Sequence, residues 1–465
     1  MNFTEAAQGV HSERRVLLSW IAAHVLGSVA LAWLALVNGF PMIFSDSGGY
    51  LAVGTELKYL NDRPVSYGLL IAPFTHLLGL WGAVVLQAIA ASWLVGEVLV
   101  AVTNRRSPVA LFLILVALAG ASSLPWFVGQ IMPDLATSLI ALTLYLMLFA
   151  PRTGWNAWFK FGLLTGLIML HLSHIPIAAA LIGMAGLLLL WRAGWRSMLL
   201  RVGPAFAALV IAVAGLCSVT YLAAGVFRPS LESEKFLVAK TFDSGLGQPV
   251  LNHLCTTEKW RLCKVRGFAA DPRRALQGQD YLWAADSPRP ALDKSDTVGL
   301  RAEEGAFARR VLYEDPMGAL RVAARSWRDQ LVQARAADGM TAYSAQTSVF
   351  KQIHKHFPYG SVAFDESRQE RGDLQSLAIV PDRLLALLVM LLTPFIVRSA
   401  IKQCDQRMTA LVLTVLGAIV ANAAVCGILS GPVDRYQSRV LWLLPLLGLI
   451  AITKYIMPKW YDAWS

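Results

Sequence analysis

The sequence predicts an all-α polytopic membrane protein, with about ten transmembrane helices and one mixed or helical region outside the bilayer. Three observations carry that expectation. The chain is 56% hydrophobic and 15% charged, with a mean hydropathy of +0.52, outside the range of soluble domains. Its apolar residues fall in long runs separated by short polar loops. Those loops sort by charge: one set carries Lys and Arg with almost no acid, while Asp46, Asp62, Asp134 and Asp434 all fall in the other. A net charge of +11 would suggest nucleic acid in a soluble chain. Here it fits cytoplasmic loops that fix topology, and no nucleic-acid-binding motif is present.

Arg14 and Arg15 precede the first run, 16–38, which is too long for a signal-peptide core and lacks a small-residue cleavage site. It is expected to be an uncleaved first span, with the N-terminus cytoplasmic and the loop 39–65 outside. Residues 66–79 are apolar but interrupted by Pro73, the pattern of an interfacial or re-entrant helix. Span two, 80–103, ends at Arg105 and Arg106 inside. Span three, 108–126, precedes the outer turn 129–134, and span four, 135–150, returns to Arg152. Span five, 159–173, carries His171 outward; span six, 175–191, returns to Arg192, Arg196 and Arg201; span seven, 203–225, exits. The polar region 226–381 is then periplasmic. Within it 300–336 has helical spacing interrupted at Asp315-Pro316, and 338–375 reads as loop. Span eight, 382–397, leads to Arg398 and Lys402; span nine, 409–429, leads to an outer turn through Asp434 and Arg439; span ten, 440–456, ends near Lys454 and Lys459 inside. The expected modules are therefore 1–225, 226–381 and 382–465, with both termini cytoplasmic.

Cys217, Cys404 and Cys426 fall in or beside spans, as core thiols. Cys255 and Cys263 lie close together in the periplasmic region, where a disulfide is expected and two unpaired thiols are the alternative. His253 is near them, too thin a set for zinc.

The stretch Phe44-Ser45-Asp46-Ser47-Gly48-Gly49-Tyr50-Leu51, followed by Asp62-Arg63-Pro64, sits directly after the first span. Charged groups at a bilayer boundary are costly unless they face a cavity, a partner or headgroups. Four outer segments carry such groups: Asp46 with Arg63, Asp134, His171 with His174, and Arg435-Tyr436 with Arg439. Carboxylates can take a proton from an attacking hydroxyl or hold a divalent ion, and arginines grip phosphate in bidentate fashion. Each residue also has a plainer reading. Asp46 and Asp134 would cap helices. His171 and His174, three apart, would share a helix face as hydrogen-bonded boundary residues. Arg435 and Arg439 would anchor to headgroups, and Tyr50, Tyr67 and Tyr436 would sit in an aromatic belt.

The pattern resembles the GT-C superfamily of polytopic glycosyltransferases. Asp46 stands where a first-loop acid is expected, Arg63-Pro64-Val65-Ser66-Tyr67-Gly68-Leu69-Leu70 is similar to the Arg-Pro-x-x-Tyr-x-x-Leu stretch that often follows, Pro133-Asp134 matches the second-loop position, and Asp434-Arg435-Tyr436 looks like the Arg-Tyr end of many bacterial members. The resemblance covers roughly 15–225 and 380–456 as architecture. It implies a multi-pass protein of the bacterial inner membrane that moves a sugar from a polyprenyl-phosphate donor to a glycan, lipid or protein acceptor, with inversion. It implies Asp46 and Asp134 as catalytic residues, Asp46 as the base. Substrate would be held by Tyr50, Arg63, Tyr67, His171, His174, Arg435, Tyr436 and Arg439. The first loop has a single acid where many relatives have a pair, which leaves a divalent cation (Mg or Mn) on Asp46 and Asp134 open. Two competitors remain: a flippase or transporter of a lipid-linked glycan, against which no inverted repeat is found, and a glycan polymerase or ligase, which would use His354, His356 and Arg368 of the large loop.

Overall fold

The computed structural model describes residues 3–150, 154–269, 277–284, 286–377 and 382–456. Arg152 and Lys459, expected inside, lie outside these residues. Among the described residues every extended element is helical, and the one β-type contact is an isolated parallel bridge between Met42 and Gln130.

Among the described residues, five helical segments are long and apolar enough to cross a membrane: Arg14–Leu31, Trp81–Thr103, His174–Ala224, Gln406–Leu429 and Asp434–Tyr455. Ser66–Leu78, Pro108–Ala121 and Leu135–Phe149 are apolar but shorter. Breaks that apolar composition hides divide some of the expected runs. The first run stops at Leu31 and resumes as Trp33–Asn38, closed by Gly39 at φ 82°. Span three ends at Ala121 because Ser122 is extended, and Leu124–Gly129 follows as a separate short helix. Spans six and seven are two helices that meet at a kink, Gly194, whose φ of 77° suits glycine. Pro73 does not break Ser66–Leu78.

Local signals explain the ends. The Ser107 hydroxyl accepts from the Ala110 N–H, with Pro108 in the first turn, and Asp405 caps Gln406–Leu429 by accepting from Met408 N–H, both standard helix starts. Leu135–Phe149 lies at the centre of the apolar bundle, buried at every residue from Leu135 to Leu148. It touches Trp81–Thr103, Gly154–Met169, His174–Ala224 and Gln406–Leu429. A helix apolar on all sides can be enclosed whole in this way.

The polar region is two things. Its first part packs around its own core, with Val238, Phe242, Leu251, Tyr281, Leu300 and Phe307 among its members. Cys255 and Cys263 are disulfide-bonded there. Its second part joins the bundle: Ala337, Met340, Val349, Ile353, Phe364 and Leu374 belong to the large core. The expected break at Asp315 is present, between Thr297–Glu314 and Pro316–Val332. The expected loop at 338–375 is corrected, because it holds the helices Ser348–His356 and Pro358–Asp365. Polar composition masked them. Thr347 caps the first by accepting from Phe350 N–H, and only Val349 and Ile353 are buried along it.

Candidate functional site

The first loop is tied down before it reaches Asp46. Met42 N–H donates to the Gly129 carbonyl and Ile131 N–H donates to the Met42 carbonyl, each at 2.9 Å. The Gln369 side chain brackets Ile43, accepting from its N–H at 2.9 Å and donating to its carbonyl at 2.6 Å. Ser47 accepts from Phe44 N–H and donates to the Ile131 carbonyl, both at 2.9 Å. The second turn, 129–134, is thereby stitched to the motif. The glycines matter for approach: a Cβ on Gly48 would lie 2.6 Å from Val349 N, so only glycine lets Ser348–His356 close over Ser47–Glu56.

Asp46 precedes that helix without capping it. Its Oδ1 lies 2.8 Å from Arg63 Nη1, and its side chain keeps 32% exposure. Arg63 meets Asp62 through two further contacts at 3.2 Å. Burial would raise the Asp62 pKa, but the charge and hydrogen bonds of Arg63, with Lys235, hold it below the usual carboxylate value.

Asp134 does not cap its helix either. It is 4% exposed, and Arg439 Nη1 donates to it at 3.0 Å. Burial pushes its pKa up, but Arg435 and Arg439 outweigh that and hold it below the usual value. Arg439 is saturated: it also donates to Asn422 Oδ1 at 3.2 and 3.0 Å and to Ser173 Oγ at 3.3 Å. With 1% of its surface exposed, Arg439 is not a headgroup anchor.

Arg435 is different. It is 7% exposed, its Cζ sits 3.7 Å from the Phe44 ring centroid, and neither Nε nor Nη1 has an acceptor. The Tyr436 ring lies 5.4 Å from Arg435 Cζ and 5.3 Å from Arg439 Cζ. Tyr50 is fully buried, with a hydroxyl that has no partner. Its ring meets Tyr67 edge-on at 5.0 Å, and burial raises its pKa. Tyr67 is satisfied, donating to Gln87 Oε1 at 3.0 Å. Both tyrosines face the interior, which corrects the aromatic-belt reading.

The two histidines do not share a helix face. His171 lies in the turn before the helix that His174 begins. Ser173 N–H reaches His171 Nδ1 at 3.2 Å, so that nitrogen accepts, and the Ser173 hydroxyl donates to it at 2.8 Å. His174 is fully buried. Its Nδ1 donates to the Leu167 carbonyl at 2.8 Å, leaving Nε2 to accept from Thr137 at 3.1 Å. His174 therefore ties two helices together, while His171 lies within the fields of Asp134, Asp46, Arg435 and Arg439.

The structure thus brings Asp46, Tyr50, Arg63, Asp134, His171, Arg435, Tyr436 and Arg439 to one end of the bundle. His354 and His356 stay apart. His354 contacts Asp365 at 3.1 Å and His356 contacts Glu56 at 2.8 Å, about 15 Å along the helix from Asp46. Sequence reasoning quoted Phe44 within the motif without a role for it, and missed Asn422 and also Tyr343, on which Asp46 and Arg435 both act. A lone Asn inside an apolar span was a readable signal; Tyr343 gave none. The two carboxylates do not fit a divalent cation, since each faces a guanidinium. Among the described residues no three His, Cys, Asp or Glu are placed to hold a metal.

What this arrangement can do is bind an anion at Arg435 beside a carboxylate that remains open to solvent. In comparisons with protein-family models, curated proteins and solved structures, nothing matches this chain.

Proposed function

We propose that the chain is an inverting glycosyltransferase of a bacterial inner membrane, moving a sugar from a polyprenyl-phosphate donor to an extracytoplasmic glycan, lipid or protein. The observation that carries this reading is Arg435. A buried guanidinium with two unsatisfied nitrogens is a costly arrangement that an anionic ligand would relieve. Asp134 takes its hydrogen bond from Arg439, which leaves Nε and Nη1 of Arg435 open to a phosphate.

An apolar groove of about 360 Å³ supports a lipid tail; it is lined by Ala121, Val389, Leu392, Phe395, Pro445 and Leu449 among others. Its end at Ala121 is two residues from Ser123, whose hydroxyl donates to the Ser438 carbonyl beside Arg439.

In this reading Asp46 is the base, because it is the more exposed carboxylate and Arg63 meets only its Oδ1. The acceptor O–H gives its proton to Asp46 as its oxygen bonds to the anomeric carbon. The bond from that carbon to the phosphate oxygen breaks, and its electron pair leaves on the phosphate. Arg435 stabilises that developing charge. Attack from the face opposite the phosphate inverts the centre.

The test is sugar transfer by the purified protein from a panel of polyprenyl-phosphate sugars, beside Asp46→Asn. Transfer that falls by about a hundredfold or more in a folded Asp46→Asn protein is expected. Full activity in that variant would remove Asp46 as base. Binding of a lipid-linked glycan without turnover on any donor would point to a flippase instead.

A further inference from the structure

We propose that Lys235 is a positioning residue for Asp46: by holding Asp62, it sets how far the Arg63 guanidinium leans onto the Asp46 carboxylate. This rests on the reading of Asp46 as the base.

The geometry is a chain of alternating charges. Arg63 is shared between Asp46 at 2.8 Å and Asp62 at 3.2 Å. Asp62 is shared in turn between Arg63 and Lys235, whose Nζ lies 3.5 Å from Asp62 Oδ2. Lys235 also holds Glu232 at 2.6 Å, and Arg301 approaches Glu232 at 3.8 Å. Lys235 and Glu232 are 4% and 6% exposed, so solvent screens them little. Lys235 lies in the first turn of the Ser233–Asp243 helix, which carries Val238 and Phe242 into the separate core of the polar region. The first loop is strapped to this unit beside the charges: Leu231 and Glu232 N–H groups both donate to the Asn61 carbonyl, at 3.0 and 3.1 Å. The unit therefore reaches the base through one lysine and two shared ions.

A guanidinium divided between two carboxylates favours each less than one held singly. If Lys235 loses its charge, Asp62 draws Arg63 away, and Asp46 becomes more basic. If Asp62 loses its charge, Arg63 turns wholly to Asp46, which becomes less basic. The other groups acting near Asp46 are unchanged by either substitution: Tyr50 on the helix that follows it, His171 from the turn before His174, Arg435 from the Asp434–Leu441 helix and Tyr343. Ser348–His356, packed on the same helix, directs Lys355 and His356 to Glu56 and His354 to Asp365, and leaves Lys351 exposed.

The experiment uses the full chain in lipid nanodiscs with two readouts. One is the acid limb of the kcat/KM profile for sugar transfer. The other is infrared titration of the Asp46 carboxylate, identified by its loss in Asp46→Asn, which needs no donor. Lys235→Gln should move both to higher pH, and Asp62→Asn should move both lower. Lys235→Arg should restore the parent values. Lys240→Gln removes the same charge from the same helix, where Lys240 donates to Ser326, and should move neither. Unmoved titration in Lys235→Gln, or an equal shift in Lys240→Gln, overturns the proposal. Should Lys235→Gln not fold, Asp62→Asn decides: a downward shift supports the proposal and no shift overturns it. Absence of turnover with every donor would refute the transferase reading alone, because the infrared titration still reports on Asp46.

Discussion

Arg435 and Arg439 are four residues apart on one short helix, yet their environments separate them. Arg439 has a neighbour for almost every donor, and its removal strands Asp134 in the interior. Arg439→Leu should cost about 3–5 kcal/mol, read as loss of folded protein in detergent melting, and Asp134→Asn in the same chain should recover part of it. Arg435 has donors to spare. Arg435→Gln should leave the melting temperature nearly unchanged while lowering kcat/KM for transfer by roughly a hundredfold or more. The sequence made both arginines visible as charges next to an apolar run, but not which was saturated. That depends on Asn422, Ser173 and Asp134, brought from three other segments. Asp46 was likewise legible, whereas its sharing of Arg63 with Asp62 was not, because adjacency in sequence says nothing of which way a guanidinium fork turns.

Among elements, the Ser47–Glu56 helix shows how closely the motif is packed. Gly48→Val would drive a side chain into the Val349 backbone, whereas the Cβ of Gly49→Ala would meet Leu60 Cδ1 at 3.4 Å, an ordinary contact. The first should cost about 1–3 kcal/mol and the second almost nothing, a difference that paired thermal melts would register. Equal melting temperatures would mean Ser348–His356 does not close over the motif. The helix start at Pro108 was read from the apolar run itself, whereas Gln406–Leu429 begins three residues before the expected 409, at the Asp405 cap. The breaks at Leu31 and Ala121 were not legible, since hydropathy averages over the single residue that ends a helix, whereas the one at Gly194 falls within the stretch 192–201 that already separated spans six and seven. Ser348–His356 was hidden for the opposite reason: two buried apolar residues are too few to register as a periodic face.

At the scale of the molecule, acid should loosen the cover over the motif. Glu56 has its pKa lowered from 4.5 to about 2 by hydrogen bonds from Lys355, His356 and Gln352. A carboxylate depressed in the folded state stabilises it above its ordinary value and loses that contribution as pH falls toward the folded one. Amide exchange in Ser348–His356 should therefore quicken between about pH 4.5 and 2, and Glu56→Gln should abolish that dependence. Exchange that quickens identically in Glu56→Gln would place the acid sensitivity elsewhere.

The bond between Arg439 and Asp134 joins groups separated by 305 positions in the chain. During synthesis Asp134 emerges long before its counterion. Until Asp434–Tyr455 is in place, that acid has either to stay near water or to carry a proton. The ionised pair is thus a late event in biogenesis, since the first loop and second turn are synthesised long before the helix that carries Arg435 and Arg439.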